Sequence, residues 1–175
     1  MRLTVKLNLM EKTFVDMINA NRGIIYKVCN LYCLEKEYKQ DLFQEIVLQL
    51  WKAFPSFRNE SLRTTWMYRV ALNTAISDFR KEIRKPERKP ISSSEFQIPD
   101  ISQFEDEHDN LSLLKQAVQQ LSKIEKAIIM LYLDEKSYEE MSEVMGITKS
   151  NIGVKLNRIK TKLETIIKST QHETR

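Results

Sequence analysis

The sequence predicts an all-α protein: two small helical domains joined by a flexible acidic linker, the C-terminal one a helix-turn-helix. Three observations lead there. Only three glycines and four prolines interrupt 175 residues rich in Lys, Glu, Leu and Ile, too few turn formers for a sheet protein. Apolar residues recur at the three- and four-residue spacing of helices with one buried face. Charge falls in blocks: residues 1–90 hold 17 Lys and Arg against 10 Asp and Glu, residues 91–110 hold six acids and no base, and the remainder holds 11 against 8. The expected division is therefore 10–85 for an N-terminal helical domain, 86–110 for a linker and 111–170 for the helix-turn-helix domain.

Along the chain, Leu3, Val5, Leu7 and Leu9 alternate with polar residues in a strand pattern that has no partner strand, so residues 1–9 are read as a loose extension. Phe14, Val15, Ile18, Ile25, Val28, Cys29 and Tyr32 then recur at helical spacing, predicting a first helix over about 11–33, bent near Gly23. A second is expected over 39–53, where Leu42, Phe43, Ile46, Val47, Leu50 and Trp51 nearly surround the axis and place it centrally in its bundle. Pro55 ends it. Residues 57–65 form a polar loop whose closing threonines are candidate caps for a third helix over 66–83. That helix is expected to turn Trp66, Val70, Asn73, Ile76 and Phe79 towards the bundle and to present Arg69, Arg80 and Lys81 to solvent. Interleaved rings and cations suit exposed bases and phosphates, although Trp66 and Phe79 also fit a core role.

The linker contains Pro86, Pro90, Pro99 and three consecutive serines from Ser92, a composition for an extended connector. Beyond it, Ser137 and Glu140 make a capping box, Gly146 follows a short helix, and Thr148 caps a second one. Ile147 and Ile152 are placed to form a hydrophobic staple. The second helix repeats Ile152, Leu156, Ile159, Leu163 and Ile166 as a buried stripe, and beside it Asn151, Lys155, Arg158 and Lys162 as an amide and three cations. Such a flank serves DNA, or simply keeps a surface helix solvated.

Composition also excludes classes. No apolar run reaches membrane-spanning length and no signal peptide opens the chain, so a cytoplasmic protein without direct membrane insertion is expected. Cys29 and Cys33 lack companion ligands and read as reduced thiols. No phosphate loop, nucleophile elbow or spaced carboxylate pair is present. The expectation is no enzyme, no cofactor, no metal and no small-molecule substrate.

Three stretches together resemble the bacterial RNA polymerase sigma factors of the extracytoplasmic-function group. DLFQEIVLQLWKAF at residues 41–54 is similar to their polymerase-binding helix, TWMYRVALNTAISDFRK at 65–81 to their promoter-melting helix, and residues 137–163 to their minus-thirty-five helix-turn-helix. The resemblance implies core polymerase and promoter DNA as partners. It assigns Asp41, Gln44, Glu45 and Trp51 to polymerase. It assigns Phe57, Asn59, Ser61, Arg63, Trp66, Arg69, Arg80 and Lys81 to the minus-ten region, and Lys149, Ser150, Asn151, Lys155 and Arg158 to the minus-thirty-five element. Gly153 stands where the family commonly carries a polar or basic residue, and Lys155 where Arg is common. Lys lacks the planar fork that reads guanine bidentately, so altered base readout is expected. Many members are held by an anti-sigma factor, and no residue here marks such a site. A rival reading is a dimeric helix-turn-helix repressor or activator binding an operator without polymerase. A third is a helical protein-binding module with incidental basic faces.

Overall fold

The computed structural model describes residues 2–57, 62–82 and 109–173, with the side chains of 9–57, 62–77 and 112–170 among them. The helices are α1 (Arg2–Ala20), α2 (Arg22–Tyr32), α3 (Lys36–Ala53), α4 (Arg63–Glu82), α5 (Asp109–Gln119), α6 (Lys123–Leu133), α7 (Tyr138–Met145) and α8 (Lys149–Glu173), and a 3-10 turn (Phe54–Ser56) follows α3. No strand occurs among the described residues. The chain divides into two compact units, Met1–Arg88 and Lys89–Arg175.

In the first unit α2, α3 and α4 pack against one another. Ile25 and Val28 of α2, Ile46 and Leu50 of α3, and Met67, Ala71 and Leu72 of α4 are almost wholly removed from water. Tyr26 stacks on Phe43 with ring centroids 5.2 Å apart, joining α2 to α3. Phe14 joins α1 to the same body: its ring stands edge-on to Trp51 at 4.9 Å and to Phe54 at 5.3 Å. Edge-to-face contact sets positive ring edges against negative faces, adding to the burial of large rings.

Four sequence expectations need correction here. Residues 2–9 belong to α1 and are neither strand nor loose extension. The alternation conceals a second pattern, Leu3, Leu7, Met10, Phe14, Met17, spaced four and three as in a helical seam. The first long helix is interrupted at Asn21, two residues before Gly23. Asn21 has φ −124° and ψ 19°, and its side-chain amide donates to the Met17 carbonyl at 2.9 Å. A short amide side chain thus takes over an acceptor that the next helical turn would have used.

The third correction concerns the start of α4 at Arg63, which puts Thr64 and Thr65 inside its first turn instead of at a cap. Thr65 is buried there. The fourth concerns the face of α4. Its bundle side is Met67, Tyr68, Ala71, Leu72 and Ala75, while Asn73 is exposed and Trp66, Val70 and Ile76 are half-buried at the edges. Small alanines let helix backbones approach closely, so the packed face need not follow the bulkiest residues. The Phe79 side chain, expected on the bundle face, lies outside the described residues, as do the linker residues 86–108.

α3 begins at Lys36, three residues before the expected start, and ends as expected, at Ala53 with Pro55 in the following 3-10 turn. Its expected all-round burial is only partial. Leu42, Phe43, Ile46 and Leu50 are buried, Val47 and Trp51 are half-buried, and Leu48 faces solvent.

In the second unit α5, α6 and α7 each pack on α8, and α6 also touches α7. Ala127, Ile128 and Leu131 of α6, Met141 and Val144 of α7, and Ile152, Leu156, Ile159 and Leu163 of α8 form the core. A capping box not singled out in the sequence starts α6: the Ser122 backbone N–H donates to Glu125 at 2.7 Å, and the Glu125 N–H donates to the Ser122 hydroxyl at 3.4 Å.

Phe14→Ala is expected to destabilise the first unit by about 3 kcal/mol, the lower range for emptying a buried aromatic site. Both tryptophans, Trp51 and Trp66, lie in that unit, so urea melting followed by tryptophan emission reads it alone. A shift of a few tenths of a kcal/mol would contradict the role of Phe14 as the anchor of α1.

Candidate nucleic-acid and polymerase interfaces

Hydrogen bonds specify both the start of α7 and the turn that joins it to α8. Glu140 accepts from the Ser137 backbone N–H at 2.9 Å, and the Ser137 hydroxyl accepts from the Glu140 N–H at 3.2 Å. This is the capping box expected from the sequence. Gly146 closes α7 at φ 66° and ψ 31°, a left-handed conformation that a Cβ would strain. The Ser142 hydroxyl donates to the Ile147 carbonyl at 2.5 Å, tying the turn back to α7. Thr148 begins α8 by accepting from the Asn151 N–H at 3.3 Å. The turn before α7 is less relaxed, since Glu135, at φ 56°, is a non-glycine residue in left-handed space.

The resulting α8 has two chemically different sides. Ile152, Leu156, Ile159 and Leu163 are buried, with Ile166 half-buried after them. Ser150, Asn151 and Arg158 are exposed and Lys155 is half-buried on one flank, so four of the five expected minus-thirty-five residues lie together on the outer surface. The fifth, Lys149, is exposed but forms an ion pair with Glu139 of α7. Hydrogen bonding and the charge of Lys149 hold the Glu139 carboxyl below its ordinary range.

Lys162, which sequence spacing groups with Lys155 and Arg158, is engaged elsewhere. Its ammonium donates to Glu125 at 2.9 Å, tying α8 to the capping box of α6. Lys160 donates to the Tyr132 hydroxyl at 3.0 Å and lies 4.1 Å from that ring's centroid. These contacts consume cations on the sides of α8 that meet α6 and leave Lys155 and Arg158 towards solvent. Spacing alone does not separate the two groups.

On α3, Asp41 and Gln44 are exposed, and Glu45 is half-buried, accepting from the Gln49 amide at 2.8 Å. Leu48 lies among them at 44% exposed, an apolar centre with a polar rim. Sequence reading missed it because Leu48 is one more leucine in an apolar run. Trp51, three residues beyond Leu48 and seven beyond Gln44, lies at the edge of the same side, half-buried against Phe14.

On α4, Arg63, Arg69 and Asn73 are exposed, and Trp66 is half-buried with Phe57 against it, ring centroids 4.8 Å apart. Trp66, Arg69 and Asn73 follow a three- and four-residue spacing along the side opposite the core. Asn73 is thus a second missed residue, an outward amide beside a cation and an indole. Asn59 and Ser61 lie outside the described residues, as do the side chains of Arg80 and Lys81.

Cys29 and Cys33 are free thiols, and burial pushes Cys29 up to about 12. No group of three or more metal-ligating side chains occurs among the described residues. No described helix is long and apolar enough to cross a membrane.

The capped α7, the left-handed Gly146 turn and α8 make the second unit a helix-turn-helix, the architecture of DNA-binding proteins. Residues 17–85 match the sigma-70 region 2 family and residues 111–163 match sigma-70, region 4. The ECF RNA polymerase sigma factor SigX of Bacillus subtilis (strain 168) is 20% identical over 82% of this chain and 77% of its own. SigW of the same organism is 23% identical over 85% of both. In fold, the chain is similar to the sigma factor RpoE in its co-crystal with the anti-sigma factor NepR from Bartonella quintana, with a TM-score of 0.62, 18% identity and coverage of 90% of this chain and 96% of that one. The chain belongs to the ECF sigma factors, which direct RNA polymerase to promoters. The region 2 match accounts for the N-terminal pattern that an operator-binding dimer leaves unexplained.

The Ser137 N–H holds the Glu140 carboxyl below its ordinary range, outweighing the effect of burial, and Lys136 at 3.3 Å assists. A depressed folded-state value contributes stability above the unfolded-state value, about 4.3, and that contribution is lost as pH falls through the folded-state value. Glu140→Gln is therefore expected to flatten the loss of second-unit stability below about pH 4.3. Urea melting followed by helical circular dichroism, with the tryptophan-reported first unit subtracted, checks this. Equal acid sensitivity in both proteins would contradict it.

Proposed function

We propose that this sigma factor divides its work among three outward faces, one each on α3, α4 and α8. The α3 face, with Leu48 inside a rim of Asp41, Gln44 and Glu45, docks core polymerase, and Trp51 supports it by holding α1 through Phe14. The α4 face, with Arg63, Trp66, Arg69 and Asn73, takes the unpaired minus-ten strand, and Phe57 props the Trp66 ring. Asn59, Ser61, Arg80 and Lys81 extend this face under the same assignment. The α8 face, with Lys149, Ser150, Asn151, Lys155 and Arg158, binds the minus-thirty-five duplex. Residues 10–85 and 111–170 act as the two working domains, with 86–110 as their connector.

The factor contributes binding and strand separation, and the chemical step belongs to polymerase. Unstacking a base costs a few kcal/mol, and stacking on a ring returns about 1–3 kcal/mol per base, so recognition and opening occur as one event. We place this activity in the cytoplasm. The relative in the NepR co-crystal suggests that an anti-sigma partner regulates this chain as well.

The observation that carries the assignment is the half-exposed Leu48 among hydrophilic neighbours on a helix whose other side is core. An apolar centre excluded from water by a polar rim is the anatomy of a protein-binding hot spot. Leu48→Asp is expected to weaken retention of core polymerase at least tenfold, about 1.4 kcal/mol, with helical circular dichroism unchanged. Charge reversal at Asp41 and Glu45 should do the same. Undiminished polymerase retention in both variants would overturn the docking assignment.

A further inference from the structure

Opposite its buried stripe, α8 carries Ser150, Val154, Asn157 and Thr161 at spacings of four, three and four residues. All four are exposed, and Val154 is 50% exposed. Thr161 spends its hydroxyl proton on the Asn157 carbonyl at 3.1 Å. Val154 is the apolar member, and neither burial nor helix propensity accounts for it, because a β-branched side chain loses rotamer freedom in a helix.

Side-chain length gives this stripe a meaning. Ser, Val and Asn reach a base edge only if the α8 backbone lies deep in the major groove, which admits a helix. Lys155 and Arg158, on the flank, have the length to reach phosphates at the groove wall. The other flank beside Val154 is occupied differently: Gly153 has no side chain, and the Tyr138 ring of α7 lies against it, 3.6 Å from where a Cβ would sit.

Val154 offers methyl groups and neither donor nor acceptor. The major-groove edge of unmodified DNA presents one matching group, the C5 methyl of thymine. We propose that Val154 fixes a thymine in the upstream promoter element by packing its methyl groups against that C5 methyl. Base selection on this helix then comes from its short side chains, with Lys155 and Arg158 supplying sequence-independent phosphate contacts. The inference rests on α8 as the minus-thirty-five reader.

The test uses holoenzyme reconstituted with the wild-type chain or with Val154→Ala. Duplexes bound by wild-type holoenzyme are selected from a pool randomised across the upstream element. Each thymine on either strand is then replaced singly by deoxyuridine, which removes the methyl group alone. Wild type is expected to bind about fourfold more weakly at one position, the burial value of one methyl group, and Val154→Ala to bind thymine and deoxyuridine there equally. No sensitive position, the same sensitivity in both proteins, or a selected element without thymine overturns the proposal. A Lys155→Ala/Arg158→Ala variant run in parallel separates the levels. If it loses upstream binding while wild type ignores deoxyuridine, only the methyl contact fails. If it retains upstream binding, the α8 assignment itself fails.

Discussion

Burial of one aliphatic stripe on α8 is the constraint on which the second unit depends. Ile152, Leu156, Ile159 and Leu163 are at most 6% exposed, and fully burying each such side chain is worth roughly 1.5–3 kcal/mol. Three helices supply the cover. Once that stripe is committed to α5, α6 and α7, the rotation of α8 about its axis is set, and Ser150, Val154 and Arg158 must face solvent. The outward surface proposed for DNA is the remainder of a packing problem, which is why it can be polar without loss to the core.

Electrostatics then selects among the cations of α8. Glu125 satisfies the Ser122 backbone and also holds Lys162, so one carboxylate ties the start of α6 to the side of α8. Tyr132 similarly occupies Lys160. Exposed pairs of this kind contribute little stability each. Their larger effect is to decide which positive charges of α8 are left towards solvent. Lys149 is intermediate: its Glu139 partner is exposed, so a phosphate oxygen can take the place of the carboxylate.

The legible parts of the fold are those written in local chemistry. Ser137, Glu140, Gly146 and Thr148 announce the helix-turn-helix because caps and left-handed turns are decided within a few residues. Pro55 announces the end of α3 for the same reason. What local reading misplaces is decided by tertiary contact. The packed face of α4 follows Ala71 and Ala75, whose small size lets α4 approach α2 and α3, and a count of large apolar residues turned Asn73 inward instead. Leu48 looks like core until the buried arc of α3 is known, and Lys162 looks like a DNA contact until Glu125 is seen beside it. The start of α6 was within reach, since Ser122 and Glu125 repeat the Ser137 and Glu140 pattern. The extended reading of residues 2–9 failed because alternation over a few residues fits both periods.

The division of labour between the two units is most directly tested by footprinting one promoter complex in two ways, DNase protection of the upstream element and permanganate reactivity of unpaired thymines in the downstream one. Holoenzymes carrying Lys155→Ala with Arg158→Ala, or Arg69→Ala with Asn73→Ala, are compared with wild type. The α8 variant should lose upstream protection while thymines still react wherever the complex forms. The α4 variant should keep upstream protection and lose thymine reactivity. Loss of both signals together in both variants would contradict separate reading by the two units.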